Sequence, residues 1–174
     1  MNTMRVWRTV KRWSVWSLPL IGLLLLMWWQ ESRLLTLAVP APLADQPVVT
    51  LDGDTMPLVS RTHKGTMVFF FAPWCHICHL DMATIDRFAR HHPDVAVRLV
   101  ALSWRDRNEL VAYRREHDLS VPIVLGTQGL ANAYRVEAFP TYYFIDRQGI
   151  IRSRSRGYAT YLGLWWRSFW AFDH

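Results

Sequence analysis

The sequence predicts an α/β domain built on a central mixed β-sheet flanked by helices. Residues 66–72 form an apolar run that lacks the alternation of a half-exposed strand, which is typical of a strand covered on both faces, and the largely apolar run 95–103 predicts a second buried strand. A helical segment follows each run, and this order of strand and helix is characteristic of α/β proteins. The last two strands, 142–145 and 150–156, are joined by a turn at 146–149 that is short enough to make them antiparallel. The sheet is therefore expected to be mixed.

Helical periodicity predicts the segments between these strands. The first helix is expected at residues 76–92, closed by Pro93. Its buried stripe is expected to contain Ile77, Leu80, Ile85 and Phe88. The second helix begins at Asp106 or Asn108 and ends at His117. The remaining elements are a hairpin at 48–58 around an Asp-Gly turn, a strand at 121–125, and helices at 128–135 and 158–172.

The last predicted helix is unusually aromatic. It carries Trp165, Trp166, Phe169 and Trp170. Two interpretations remain open, since such rings either cover a sheet or form a docking surface for a membrane partner. We prefer the first, because large apolar side chains on a helix beside a sheet are normally part of the core.

The N-terminal residues predict a membrane anchor. The chain has a net charge of +6, and residues 1–12 supply four basic side chains before any acid. Residues 13–29 are uncharged and end in two tryptophans, and as a helix they would cover about 25 Å, just enough to cross a bilayer core. Positive charge before the span predicts a cytoplasmic N-terminus with the rest of the chain outside. A cleaved signal peptide, with a weak site near Ala38, is the alternative.

Two further segments complete the organisation. Residues 30–47 are rich in proline and alanine without a sustained period, so they are predicted to be a periplasmic linker. Residues 48–174 are long enough for one domain with a single core. The positive charge concentrated in residues 1–12 leaves too little on this domain to predict a nucleic-acid partner.

Chemistry is concentrated at the only two cysteines, Cys75 and Cys78, which lie where a buried strand gives way to a helix. Two thiols at this spacing can form and break a disulfide reversibly. Cys75 is expected at the helix N-terminus, where unpaired N–H groups stabilise a thiolate, and Cys78 is expected to be the resolving thiol. His76 either favours the thiolate as a neighbouring cation or is a solvated residue at the loop-helix junction.

The same residues allow two other interpretations. With His79 they read Cys-x-x-Cys-His, the attachment signal of c-type haem. A c-type domain needs a second axial ligand and mostly helical structure around the haem. Haem attachment is disfavoured because this motif follows a buried strand. A structural metal site made of Cys75, Cys78, His76 and His79 is disfavoured because His76 should point away from Cys78. Binding of Cu(I) by the thiol pair remains an alternative function. No partner is apparent in the sequence for His117.

The chain resembles the thioredoxin fold, and more closely the membrane-anchored TlpA/ResA/DsbE group of thiol-disulfide oxidoreductases. The similarity lies in residues 69–78 (FFFAPWCHIC), in 121–125 (VPIVL) and in 139–149 (FPTYYFIDRQG). Residues 157–163 (GYATYLG), followed by the Trp-rich helix, resemble the suppressor of copper sensitivity D branch of this group. The resemblance implies an enzyme in the periplasm, tethered to the inner membrane. It also implies a link to copper tolerance or cytochrome c maturation.

This resemblance also implies roles for particular residues. Pro140 is expected to be a cis-proline facing the cysteines, and Asp81 is expected to assist the second thiol, the alternative being an exposed helix residue. The substrate surface is expected to consist of Trp74, Phe139 and Thr141. Cysteine-containing proteins are the implied substrates, with a membrane electron donor of the DsbD type. No cofactor is expected besides the Cys75–Cys78 disulfide.

There are two departures from the group. Phe69 stands where ordinary thioredoxins have a buried aspartate, and Ala83 replaces the proline that usually kinks the first helix. The usual buried base is therefore missing from the strand, and the shape of the first helix does not follow from the resemblance.

Overall fold

The computed structural model describes residues 21, 22, 25 and 34–173. The predicted basic segment 1–12, most of the predicted anchor 13–29 and the first residues of the linker lie outside the described part. The three described residues at 21, 22 and 25 are helical. In the part of the chain that is described, no helix combines the length and apolar character needed to cross a membrane. The strands and helices of the fold lie in one compact unit that begins at Leu35.

The described domain alternates strands and helices as predicted. Its elements are β1 Pro47–Val49, β2 Thr55–Pro57, β3 Gly65–Phe71, α1 His76–His91, β4 Val95–Ala101, α2 Arg107–Glu116, β5 Ile123–Leu125, α3 Gln128–Ala133, β6 Thr141–Asp146, β7 Ile151–Arg156 and α4 Tyr161–Phe172. Five strands form one sheet in the order β5-β4-β3-β6-β7, and β1 pairs with β2 in a separate hairpin.

The main sheet is mixed, which confirms the predicted fold class. Strands β3, β4 and β5 are parallel, whereas β6 and β7 run antiparallel to their neighbours. All seven residues of β3 are buried because helices and loops cover both faces of this central strand. Phe69 and Phe71 enter the core that lies against α1, and Phe70 packs against Tyr134 and Tyr143 on the other face.

Helix α1 buries a different stripe from the one predicted. Its buried residues are Cys78, Asp81, Met82, Ile85, Asp86 and Phe88. Ile85 and Phe88 were predicted correctly, but Ile77 and Leu80 are 44% and 58% exposed. The buried positions from Cys78 to Phe88 follow one helical stripe, and Ile77 and Leu80 lie outside it. The helix is continuous through Ala83.

The segment predicted as a linker contacts the domain before residue 48. The amides of Ala38 and Ala41 donate to the carbonyls of Ile151 and Gly149, and Ile151 donates back to Val39. Pro40 forms an isolated antiparallel bridge with Ile150. Residues 38–41, which belong to the predicted linker, thus lie along the edge of β7. The backbone groups of an exposed sheet edge need partners, and this segment provides them.

Helix α4 corrects the preferred interpretation of its aromatic residues. Leu164, Ser168 and Ala171 are the residues that it buries. The rings expected to cover the sheet remain substantially exposed, at 38% for Trp165, 53% for Trp166, 36% for Phe169 and 53% for Trp170. Small residues let the helix backbone approach its neighbours closely, so the bulky rings occupy the outer face. They contact one another there, as Trp165 stacks on Phe169 and Trp166 packs edgewise against Trp170.

Candidate active site

The two cysteines form a disulfide at the start of α1. Their Cα atoms are 5.2 Å apart, and the described residues include no free cysteine. Cys75 is the N-cap of the helix, and its Sγ accepts a hydrogen bond of 3.3 Å from the amide of Cys78. The positive end of the helix dipole therefore lies at the sulfur of Cys75, as the sequence predicted.

The two sulfurs differ in accessibility. Cys75 is 7% exposed and lines an open cleft, whereas Cys78 is completely buried. A partner molecule can therefore reach Cys75 alone. This asymmetry is the structural counterpart of an attacking and a resolving thiol.

Asp81 is buried below the disulfide, so the alternative of an exposed helix residue is wrong. Its Oδ2 accepts a hydrogen bond from the hydroxyl of Tyr142, and its Oδ1 accepts one of 3.1 Å from the amide of Ala159. Burial raises the pKa of the Asp81 carboxyl, and the two donated hydrogen bonds oppose part of that rise. Because Asp81 lies three residues after Cys78 on a helix, the two side chains are neighbours on one face.

The turn before β6 contributes the second side of the site. The Phe139–Pro140 peptide bond is cis, as expected, and Pro140 is buried. Phe139 packs edgewise against Trp74 with ring centroids 5.7 Å apart. Thr141 behaves differently from the prediction, since it is fully buried and its hydroxyl donates to the carbonyl of Ala138. Its side chain supports the turn and does not line the cleft.

The cleft beside Cys75 has a volume of about 560 Å³. Its walls are the active-site loop, the end of β4, helix α3 and the turn before β6; the lining residues are Trp74, Cys75, Leu102, Ser103, Gly126, Thr127, Gln128, Ala131, Val136, Glu137, Ala138 and Phe139. Trp74 is 66% exposed at its rim and packs against Phe139. An apolar rim around a partly polar cleft suits a peptide segment better than a small polar molecule.

The histidines near the site have different surroundings. His76 is exposed on the first turn of α1. His79 is half-buried, and its Nε2 lies 2.7 Å from the carbonyl oxygen of Pro73. His117, for which the sequence offered no partner, places its Nε2 2.8 Å from Nδ1 of His79. Burial and the neighbouring His79 lower the pKa of His117.

Sequence reasoning missed Tyr142 as the partner of Asp81. The alternation of β6 carries a signal for it, because Tyr142 and Phe144 point to the face that Phe69 and Phe71 share with α1. Phe69 packs against the Tyr142 ring at 4.9 Å, so a phenylalanine occupies the strand position and the buried carboxylate comes from the helix. The sequence has no comparable signal for the backbone donor at Ala159, which is 78 residues from Asp81.

The fold and the cysteine pair define a thioredoxin-like thiol-disulfide oxidoreductase, an enzyme whose redox group is the disulfide itself. The AhpC/TSA family matches residues 38–154, which is more than half of the chain, and the chain belongs to this family.

Individual relatives agree with this class. The chain is 28% identical over 119 residues to the thioredoxin-like protein YneN of Bacillus subtilis (strain 168), covering 67% of this chain and 70% of YneN. It is 31% identical over 113 residues to the thiol-disulfide oxidoreductase ResA of Oceanobacillus iheyensis, covering 63% of this chain and 58% of ResA. The structure of StoA from Bacillus subtilis, at 24% identity, matches with a TM-score of 0.66 over 74% of this chain and 99% of StoA, which shows the fold.

Proposed function

We propose that the protein exchanges disulfides with extended segments of cysteine-containing proteins that bind in the cleft beside Cys75. The observation that carries this proposal is the asymmetry of the pair, since Cys75 lines the cleft and Cys78 is completely buried. Residues 136–139 belong to no strand and line one wall, so their backbone can pair with an extended substrate. Trp74 and Phe139 then contact its side chains.

In the reducing direction, the Cys75 thiolate attacks one sulfur of the substrate disulfide. A sulfur–sulfur bond forms between Cys75 and the substrate, and the other substrate sulfur leaves as a thiolate that takes up a proton. The N-terminus of α1 stabilises the Cys75 thiolate before this attack. The substrate is then bound covalently through a mixed disulfide in the cleft.

The second step releases the substrate. The Cys78 thiol gives its proton to the Asp81 carboxylate and attacks the sulfur of Cys75, so that the mixed disulfide breaks and the substrate leaves as a thiolate. The Cys75–Cys78 disulfide forms, and two electrons have passed to the substrate. The raised pKa of Asp81 suits this role because it brings a carboxylate closer to the operating pH. The oxidising direction is the same sequence in reverse.

We further propose that the domain works in the periplasm, anchored to the inner membrane through residues 13–29. The support is the uncharged run with its preceding basic cluster. A membrane electron donor of the DsbD type would keep the cysteine pair reduced. The resemblance of residues 157–163 to the suppressor of copper sensitivity D branch supports a role in copper tolerance, and the likeness to the DsbE group supports one in cytochrome c maturation.

The alternative function is Cu(I) binding by both thiols. It is less well supported, because the completely buried sulfur of Cys78 would have to reach the metal.

Trapping in cells tests the exchange reaction. The Cys78→Ala variant lacks the resolving thiol, so substrates should accumulate as mixed disulfides with Cys75 and be released by a reducing agent. Mass spectrometry should then identify periplasmic proteins joined through their cysteines. The double variant Cys75→Ala, Cys78→Ala serves as the control. Recovery of the same proteins from both variants would overturn the proposal.

Localisation is tested separately. In spheroplasts, added protease should cleave the full chain on the outer side of the membrane. A chain that begins after residue 29 and is exported by a cleavable signal peptide fused ahead of it should be recovered in the soluble periplasmic fraction. Protection of the full chain from protease in intact spheroplasts would contradict the proposed orientation.

A further inference from the structure

A second cluster of chemically reactive side chains lies behind the disulfide. It consists of His79 on α1, Glu116 at the end of α2 and His117, the residue that caps α2. One nitrogen or oxygen atom from each of these residues lies within 4.8 Å of the other two. The cluster joins two helices, and His79 follows Cys78 directly in the sequence. The exchange reaction makes no use of these three side chains together.

The hydrogen bond to Pro73 fixes the orientation of His79. Its Nε2 lies 2.7 Å from the Pro73 carbonyl oxygen, and a carbonyl can only accept, so Nε2 carries the proton. Nδ1 of His79 therefore accepts the hydrogen bond of 2.8 Å from His117 Nε2 and lies 3.6 Å from Glu116 Oε1, and an ion bound here would replace the proton between the two nitrogens. This arrangement is found around metal-binding histidines, in which one ring nitrogen donates to a carbonyl and the other binds the ion.

Packing restricts both imidazoles. Tyr113, which is 3% exposed, packs edgewise on His79 with centroids 4.7 Å apart and lies 4.6 Å from the ring of His117. The two imidazole centroids are 4.8 Å apart. Rings held by such contacts lose little further freedom when they bind an ion. Glu116 is 62% exposed at its side chain, which leaves an entry path from solvent.

Distances and charge fit a small divalent cation. Tetrahedral zinc with bonds of about 2.0–2.1 Å holds its ligand atoms roughly 3.3 Å apart, and the separations of 2.8 and 3.6 Å around His79 Nδ1 bracket that value. The C-terminal end of α2 adds a favourable partial charge. Of the arginines in this turn, Arg114 is paired with Asp52 at 2.7 Å, and Arg115 is exposed.

We propose that His79, Glu116 and His117 bind one zinc-type divalent cation and leave a fourth position for water. Two imidazoles and one carboxylate are a ligand set that zinc accepts in open sites. The site is separate from the thiols, because none of its ligands is a cysteine. Through the His79–Pro73 hydrogen bond, a bound ion would hold the loop that leads into Trp74 and Cys75.

Zinc titration of the purified full chain in its disulfide form tests this site, because the oxidised sulfurs then offer no thiolate. Competition with a chromophoric chelator should give one equivalent of bound Zn²⁺. Loss of a residue that only hydrogen-bonds to a metal ligand typically weakens binding by roughly 10- to 100-fold. His117→Ala and Glu116→Gln remove ligands themselves, so each should weaken zinc binding by at least that factor. Glu116 is exposed, so Glu116→Gln tests the site without threatening the fold. His76→Ala, an exposed histidine on the same helix, is the matched control and should bind zinc normally.

Two results would overturn the proposal. One is that the disulfide form binds no stoichiometric zinc. Zinc that binds only after reduction belongs to the thiols and counts as this result. The other is an equal loss of affinity in His76→Ala and His117→Ala, which would indicate nonspecific surface histidine binding. Co²⁺ provides a second readout, since a four-coordinate site with nitrogen and oxygen ligands gives intense visible bands. These bands should be lost in Glu116→Gln and retained in His76→Ala.

Discussion

The hydroxyl of Tyr142 donates a hydrogen bond to the carboxylate of Asp81, and both side chains are completely buried. The two residues are 61 positions apart in sequence. Asp81 lies three residues after Cys78 on α1, and Tyr142 lies two residues after Pro140 on β6. The bond therefore connects the helix that carries the thiols with the strand that follows the cis-proline turn.

Replacing Asp81 by Asn should slow closure of the Cys75–Cys78 disulfide by roughly 100-fold, the lower range for loss of a general base. Asn keeps the size of the side chain but cannot take the proton of Cys78. Rapid mixing of the reduced protein with a disulfide substrate, followed by acid quenching, would measure the lifetime of the mixed disulfide. Asp86→Asn is the matched control, since Asp86 is 2% exposed on the same helix but binds Ser120 and Arg90. Equal slowing in both variants would point to general disturbance of α1.

Asp81 should also make stability depend on pH. Its pKa is raised in the folded protein, so the folded state binds the proton more tightly, and the stabilisation is complete below the ordinary value of 3.8. As pH rises through the interval between 3.8 and the raised value, this contribution is lost, at about 1.4 kcal/mol for each unit of difference. Urea unfolding of the disulfide form at a series of pH values measures this effect. As pH rises, the free energy of unfolding of the wild type should fall relative to that of Asp81→Asn. A difference that does not change with pH would contradict this assignment.

Trp74 and Phe139 should matter for protein substrates and little for small ones. Removing either ring opens the rim of the cleft, and Trp74→Ala or Phe139→Ala should lower kcat/KM for a protein disulfide by roughly 5- to 30-fold, equivalent to about 1–2 kcal/mol. Dithiothreitol needs no contacts in the cleft, so the rate at which it reduces the Cys75–Cys78 disulfide should change much less. Trp166→Ala removes another exposed ring, this one from α4, and should behave as wild type with both substrates. A loss that is the same for both substrates would indicate damage to the disulfide itself.

His76→Ala should raise the pKa of the Cys75 thiol and make the couple more reducing. A protonated imidazole beside Cys75 favours the thiolate, and a stabilised thiolate makes a couple more oxidising. The expected change is on the order of 10–30 mV toward negative potential, measured by equilibration with glutathione. His91→Ala, at the far end of α1, is the control. A thiol titration curve identical to that of the wild type would remove His76 from the site.

The sequence predicted the parts of the fold that depend on local pattern. Largely apolar runs identified β3 and β4, and the position of Cys75 between strand and helix identified the redox site. The N-cap of α2 at Asp106 also followed from residue type, because its side chain accepts from the amide of Glu109.

Long-range packing accounts for what the sequence could not predict. Helix α4 is apolar on nearly every side, so hydrophobicity alone could not show that Leu164 and Ala171 face inward while Trp166 faces outward. His79 and His117 are 38 residues apart, and their contact depends on how α1 and α2 pack. The sequence left open whether Asp81 is exposed or buried. The structure shows that it is buried and contacts Tyr142.

The most direct test of the central claim compares the two single cysteine variants as purified reduced proteins. Each is mixed with a protein that contains one accessible disulfide, and covalent adducts are followed by mass. Cys78→Ala should form a stable mixed disulfide through Cys75, whereas Cys75→Ala should form essentially none because the remaining sulfur is completely buried. Adduct formation at equal rates in both variants, or only in Cys75→Ala, would contradict the assignment of Cys75 as the attacking thiol.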